Sequence, residues 1–192
     1  MVKVKVCGNT NLEDALVACD AGADYLGFVF EPRSSRVCTD TSFLPEIRNR
    51  FPDVKLVAVF GELVPNFDQR PFDFVQSFDL SCAMPVIRPQ TENELDELLP
   101  QITPGKIIVL DAFHPAEAGG TGKVADWQLA RRAVGSYDGH LMLAGGLAGD
   151  NVQEAIHQVQ PFAVDASSRL EQSPGRKDHQ KVIDFIRAAK NC

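Results

Sequence analysis

Eight short apolar runs recur along the 192 residues, and they restrict the chain to a small set of folds. They occupy 2–6, 25–30 (YLGFVF), 55–60 (KLVAVF), 72–76 (FDFVQ), 85–88, 107–112 (IIVLDA), 141–144 (LMLA) and 162–166 (FAVDA). Several are apolar almost without interruption, as expected for strands covered on both faces. Helical spacing fills many of the gaps. Leu12, Ala15, Leu16 and Cys19 fall at i, i+3, i+4 and i+7. Thr10 or Asn11 can cap that helix, Glu13 and Asp14 suit its first turn, and Gly22 suits its end. Thr91 and Glu94 read as a capping box ahead of Leu95, Leu98 and Leu99. Asp126, Asp150 and Asp178 stand where caps would open helices around Trp127, over 152–159 and over 182–189. Strands alternating with helices point to a parallel α/β architecture, and eight is the number that closes a (β/α)8 barrel. A single barrel domain over 1–192 is expected, shorter than the roughly 250 residues typical of such barrels.

The missing length falls in the middle. Residues 61–71, with two prolines, separate the third run from the fourth, and 79–84 separate the fourth from the fifth. A parallel crossover normally takes roughly a dozen residues or more. The expected architecture is therefore a barrel with shortened or missing helices around strands three to five. Phe67, Phe72, Phe74, Phe78 and Met84 fall in or beside this region. A thinly covered wall would expose them as an apolar patch, so a homodimer through that flank is expected.

The net charge of −7 excludes unspecific nucleic-acid or anionic-membrane binding as the main activity, because no surplus of cations exists to neutralise phosphates. No apolar run approaches the roughly 20 residues that span a bilayer. The opening MVKVKVCG has no continuous apolar signal core, which gives a cytoplasmic expectation. Five cysteines are scattered without a CxxC pair, and the four histidines have no ligand-like spacing. Neither a disulfide framework nor a metal site is expected.

In an α/β barrel the functional side chains gather at the C-terminal ends of the strands. Cys7 ends the first strand, and Arg36 follows the second in EPRSSR. Asp111 ends the sixth, Gly145 and Gly146 end the seventh, and Asp165, Ser167 and Ser168 end the eighth. A thiol, an arginine, a carboxylate and a glycine-rich turn would thus converge on one rim.

Four stretches together carry a resemblance to the phosphoribosylanthranilate isomerase family of tryptophan biosynthesis. They are KVCGNTNLEDALVACDAGADYLGFVFEPRSSR at 3–36, VLDAFHPAEAGGTGKVADW at 109–127, LAGGLAGDNVQEAI at 143–156 and PFAVDASSRLEQSPGRKDHQKVIDFI at 161–186. The resemblance implies a (β/α)8 barrel that works without metal or organic cofactor on a small phosphorylated substrate. The reaction it implies is an Amadori rearrangement, converting the aminoaldose N-(5′-phosphoribosyl)anthranilate into an aminoketose. Cys7 matches the family's general base and Asp111 its general acid. Arg36 matches the position that takes the anthranilate carboxylate, and a planar guanidinium suits that group through two parallel hydrogen bonds. Gly145, Gly146, Ser167 and Ser168 match its phosphate cradle, with Asp165 beside them. Gly119–Gly120–Thr121–Gly122–Lys123 matches a substrate lid; it is no Walker loop, because Val124 stands where Ser or Thr would follow the lysine.

Three departures stand out. Asn9 replaces a usual Ile, Ser77–Phe78–Asp79 replaces Leu–His–Gly, and Arg169 replaces the glycine after the paired serines. They keep open two further readings: a diverged paralogue acting on another phosphosugar, and a catalytically silent barrel used as an interaction protein.

Overall fold

The computed structural model describes residues 1–61, 69–111 and 127–192. Its centre is a closed barrel of eight parallel strands: β1 (Lys3–Val6), β2 (Tyr25–Val29), β3 (Lys55–Val59), β4 (Phe74–Ser77), β5 (Met84–Ile87), β6 (Ile107–Asp111), β7 (His140–Ala144) and β8 (Ala163–Ala166). Closure is made by β1 against β8, in the register Val4 opposite Val164 and Lys5 opposite Asp165.

The two-residue period of a strand sorts its side chains into two layers. Val4, Val6, Leu26, Phe28, Leu56 and Ile108 pack outward against helix residues such as Ala15, Ala18, Phe185 and Ile186. The alternate positions Tyr25, Val57, Met84, Val86, Val109 and Met142 pack together inside the barrel. Lys5 and Asp165 fall in that inward set and are also buried.

The helices open largely as their caps imply. Asn11 Oδ1 accepts from the Asp14 N–H at 2.9 Å ahead of α1 (Leu12–Asp20), and Gly22 follows it at φ +102°. Thr91 Oγ1 accepts from the Glu94 N–H ahead of α3 (Glu92–Leu98), while the Glu94 carboxylate reaches the Gln90 N–H instead of closing the box on Thr91. Asp178 caps α6 (His179–Lys190). Asp150 does not cap α5 (Val152–Val159): Asn151 occupies the cap position, and Asp150 is engaged by Arg169. Among the described residues the remaining α-helices are α2 (Leu44–Arg50) and α4 (Trp127–Ser136). The proposed Asp126 cap and the glycine-rich 119–123 lid lie outside the described residues.

Between β4 and β5 there is no helix, only the turn 78–83. Asp79 organises it, accepting the Ser81 N–H on Oδ1 and the Cys82 N–H on its carbonyl. Lys106 Nζ ties down the carbonyls of Leu80 and Ser81 from the neighbouring strand entry. The apolar flank expected here is not exposed. Phe72 packs on Phe28 and Phe30, Met84 is wholly buried inside the barrel, and Phe74 sits half-buried against Tyr25. With no helix to cover them, these side chains turn into the two existing apolar layers. Phe78 alone of the four described is exposed, at 44%, and Phe67 lies outside the described residues.

An unforeseen element follows β8. A single 3₁₀ turn (Ser168–Leu170) leads into an antiparallel hairpin, β9 (Glu171–Ser173) and β10 (Arg176–Lys177), before α6 begins. Among the described residues, no helix is long and apolar enough to cross a membrane.

Candidate active site

The C-terminal ends of the strands surround a cavity of about 550 Å³. All eight positions singled out in the sequence line it: Cys7, Arg36, Asp111, Gly145, Gly146, Asp165, Ser167 and Ser168. The barrel brings them together from the ends of β1, β2, β6, β7 and β8.

Cys7 is held from several sides. Its N–H donates to the Ala166 carbonyl at 2.9 Å, and its own carbonyl accepts from Lys177 Nζ at 2.6 Å. Gly8 then turns the chain at φ +75°. A Cβ at Gly8 would stand 2.9 Å from Ser167 Oγ and 3.0 Å from the Arg36 side chain, so glycine is what lets these two pack against the turn after Cys7. Asn9 is fully buried; its Nδ2 donates to the carbonyls of Val6 and Gly27, stapling the end of β1 to β2. An apolar residue there could fill the space, but asparagine adds the staple.

Below the sulfur lies a buried charged layer. Lys5 Nζ donates to Asp165 Oδ2 at 2.8 Å, with both side chains almost wholly out of solvent. The Lys5 charge also acts on Cys7, two residues further along the same strand. Burial pushes the Cys7 thiol upward; Lys5 and Lys177 pull it back and Asp165 opposes them, leaving it above its ordinary value. Burial works against the Lys5 ammonium, yet the charges of Asp165 and Cys7 keep it more firmly protonated than a free lysine. Burial likewise pushes Asp165 up. Neutralising Asp165 would strand the buried Lys5 cation, so the two remain an ion pair.

Arg36 is not free in the cavity. Its Nε and Nη2 donate to the two oxygens of Glu171, each at 2.8 Å, a paired fork that fixes the guanidinium plane. Glu171 also takes Lys177 Nζ at 3.3 Å. The β9–β10 hairpin therefore reaches back to both Arg36 and the Cys7 backbone.

Asp111, at the opposite wall, accepts a hydrogen bond on Oδ2 from Arg88 Nε at 2.9 Å, with Nη2 of the same guanidinium 2.7 Å away in the ion pair. The same guanidinium lies 4.7 Å above the Phe78 ring, so Phe78 serves as a platform at the cavity mouth.

Gly145 and Gly146 both take left-handed φ, +102° and +64°, making the sharp turn after β7. Asn151 braces it, accepting the Ala148 N–H and donating to the Gly146 carbonyl. Across from it stands the 3₁₀ turn at Ser168. Turns after the seventh and eighth strands, with the first amides of a short helix, form the anion cradle of many such barrels. Arg169 neither points into this cradle nor turns away into solvent. It spans the rim, from the Gly146 carbonyl at 3.0 Å to Asp150 at 2.6 Å.

Lys5, Lys177, Glu171 and Arg88 were not singled out in the sequence. For Lys5 a signal existed: a strand that aims Cys7 inward aims residue 5 inward too. Glu171, 135 positions from Arg36, offered none.

The family model described as N-(5'phosphoribosyl)anthranilate (PRA) isomerase matches residues 79–188. A relative from Trichlorobacter lovleyi, an N-(5'-phosphoribosyl)anthranilate isomerase, is 40% identical over 210 residues, spanning all of both chains. The crystal structure of phosphoribosyl anthranilate isomerase from Thermotoga maritima superposes with a TM-score of 0.80 at 35% identity, each chain fully covered. A phosphoribosyl anthranilate isomerase solved with reduced 1-(o-carboxyphenylamino)-1-deoxyribulose 5-phosphate superposes at 0.72 with 32% identity, again over the whole of both chains. This chain belongs to the N-(5'-phosphoribosyl)anthranilate isomerase family.

Proposed function

We infer that the chain isomerises N-(5′-phosphoribosyl)anthranilate to the corresponding 1-(o-carboxyphenylamino)-1-deoxyribulose 5-phosphate, with Cys7 as base and Asp111 as acid. The observation that supports this assignment of roles is the single cavity into which β1 and β6 deliver those two groups. Asp111 gives a proton to the ribose ring oxygen as the ring opens to the protonated Schiff base. Cys7 takes the C2′ proton, and the enolamine tautomerises to the ketone. The cationic nitrogen of the opened intermediate acidifies C2′. It also favours the thiolate of a buried cysteine that otherwise rests as the thiol. For the acid, Arg88 must yield Asp111 to the substrate, which its exposed position at the mouth allows. Gly145, Gly146, Ser167 and Ser168 hold the phosphate, and Arg36, already levelled by Glu171, presents its remaining edge to the anthranilate carboxylate. A homodimer belongs to the same proposal, though not through an apolar flank at 72–84; light scattering tests it, and a monomer at micromolar concentration removes it.

Purified Cys7→Ala and Asp111→Asn are expected to lose about 10²–10⁴-fold in kcat with KM changed far less, since both groups act on the chemical step. Near-normal turnover in either variant removes that residue from the mechanism, and no turnover by the unaltered protein removes the activity itself.

A further inference from the structure

The reading of Cys7 as the base leaves a question of supply. A buried thiol is a poor source of thiolate, and the cavity must contain something that compensates. Lys177 is one cation nearby, but its Nζ donates to the Cys7 carbonyl, to the Ser167 carbonyl and to Glu171, so it holds the backbone and not the sulfur. Arg36 is turned toward Glu171. Lys5 differs from both. It lies two residues before Cys7 on the same strand, so their side chains share the barrel interior at successive levels. Its ammonium is fully buried and carries three donor protons. One goes to Asp165 Oδ2, and no other acceptor among the described residues takes the remaining two. Asp165 lies directly across the β1–β8 closure from Lys5 and spends only one oxygen on it; Oδ1 is buried with no hydrogen-bond partner among the described residues. The carboxylate thus anchors Lys5 from one side without competing for its remaining donors.

We propose that Lys5 is a positioning residue for Cys7: anchored by Asp165, its ammonium hydrogen-bonds the sulfur and stabilises the thiolate that removes the C2′ proton. This rests on the reading of Cys7 as base. No proton need pass through Lys5. The chain Asp165–Lys5–Cys7 has the logic of a nucleophile activated by a neighbour that a third group orients, with a fixed cation in the middle position. The charged groups facing the sulfur are Lys5 from β1, Asp165 from β8, Lys177 from β10 and Arg36 from the loop after β2, with Asp111 acting on Asp165 from β6. Lys5 is the cation among them whose donors are not committed to the backbone or to Glu171.

The test is the pH profile of Cys7 alkylation by iodoacetamide, followed at the Cys7 peptide by mass spectrometry, in the unaltered protein and in Lys5→Met, Lys5→Arg and Lys5→Met/Asp165→Asn. Peptide-level reading separates Cys7 from the exposed Cys192. The double variant removes both charges, so it guards against Lys5→Met failing to fold around an unpaired Asp165. Losing the cation disfavours the charged form, so the alkylation midpoint is expected to rise by about one pH unit or more, a tenfold loss of thiolate at neutral pH. kcat at pH 7 falls in proportion while KM moves less than about threefold, and Lys5→Arg recovers part of both. A folded variant whose alkylation midpoint matches the unaltered protein overturns the proposal, whatever its turnover. Normal turnover in Cys7→Ala would instead sink the base assignment, and with it any catalytic use of Lys5, even if the alkylation shift were observed.

Discussion

Gly27 offers the sharpest test of how closely the Cys7 sulfur is placed. It sits on β2, opposite the end of β1, with ordinary extended backbone, so an alanine there meets no conformational penalty. What it meets is Cys7. A Cβ at residue 27 would stand 2.6 Å from Sγ, 3.1 Å from Cα and 3.2 Å from Cβ of Cys7. Ordinary contact begins at 3.4 Å, so the sulfur must retreat by ~0.8 Å or the two strands must part. The strands are tied by the Asn9 staple and by Lys177 on the Cys7 carbonyl, so most of the displacement falls on the thiol. Overpacking of this kind costs about 1–3 kcal/mol. At ~2–4 °C per kcal/mol for a chain of this size, Gly27→Ala is expected to melt about 2–12 °C lower. A misplacement near 1 Å costs on the order of 10²-fold in a proton transfer that depends on near-contact geometry. The expected outcome is therefore kcat lower by about 10–100-fold with KM within about threefold, because the β7–β8 cradle is untouched. Steady-state turnover and a thermal melt measure both. Gly135→Ala serves as the control: its Cβ on α4 meets nothing within 4 Å, so the melt should rise slightly, by the ~0.5–1 kcal/mol that separates glycine from alanine in a helix, with kcat unchanged. If Gly27→Ala turns over within about twofold of the unaltered protein, the close placement of Cys7 is not a requirement of the reaction, and the reasoning fails.

Two further outcomes are expected. Inorganic phosphate or sulfate at millimolar concentration should raise the melting temperature through the cradle, and less so in Arg169→Glu, where the new carboxylate faces Asp150 and lacks the bond to the Gly146 carbonyl; no protection of the unaltered protein would show that the departure at Arg169 has cost the anion site. Asp24 joins β1 to α6 by accepting from Lys3, the Val4 N–H and Lys190, which outweigh burial and hold its carboxyl below the usual range. A depressed folded-state pKa stabilises above the unfolded value of ~3.9 and is lost as pH falls through the folded value. Asp24→Asn should therefore cost about 1–2 kcal/mol at pH 7 and much less near pH 3, and equal costs in denaturant melts at the two pH values would remove the ion pairs as the cause.

What could be read from the sequence is what the strand period and the strand ends dictate. Burial on both faces makes a barrel strand apolar along its length, so the eight runs stood out and their number pointed to closure. The end of a strand is a position in the chain, and the site residues at β1, β6, β7 and β8 could be named without knowing how the strands pair. The short 79–84 connection was legible for the same reason, as a count of residues too few for a crossover helix. Its consequence was not. Whether Phe72 and Met84 face solvent depends on which layer they can join, and Phe72 found Phe28 and Phe30 on β2 and its following loop. The pairing of Arg36 with Glu171 lay beyond reach too, because it depends on a hairpin of five strand residues that has no periodicity to announce it.

The three departures from the family pattern are best judged by what each side chain does with its polarity. Asn9 puts an amide where an apolar side chain is usual, in a fully buried position, which without partners would be costly. Its Nδ2 instead bonds the Val6 and Gly27 carbonyls, so the change strengthens the seam that carries Cys7, at the expense of an Oδ1 with no partner among the described residues. Arg169 brings a charge to the rim of the cradle, and Asp150 takes it up there. Phe78 lines the mouth as the floor beneath Arg88, the residue that engages Asp111. Asn9 and Arg169 are thus absorbed by local partners, whereas Phe78 puts an aromatic ring where the family pattern has an imidazole, removing a donor from the cavity mouth.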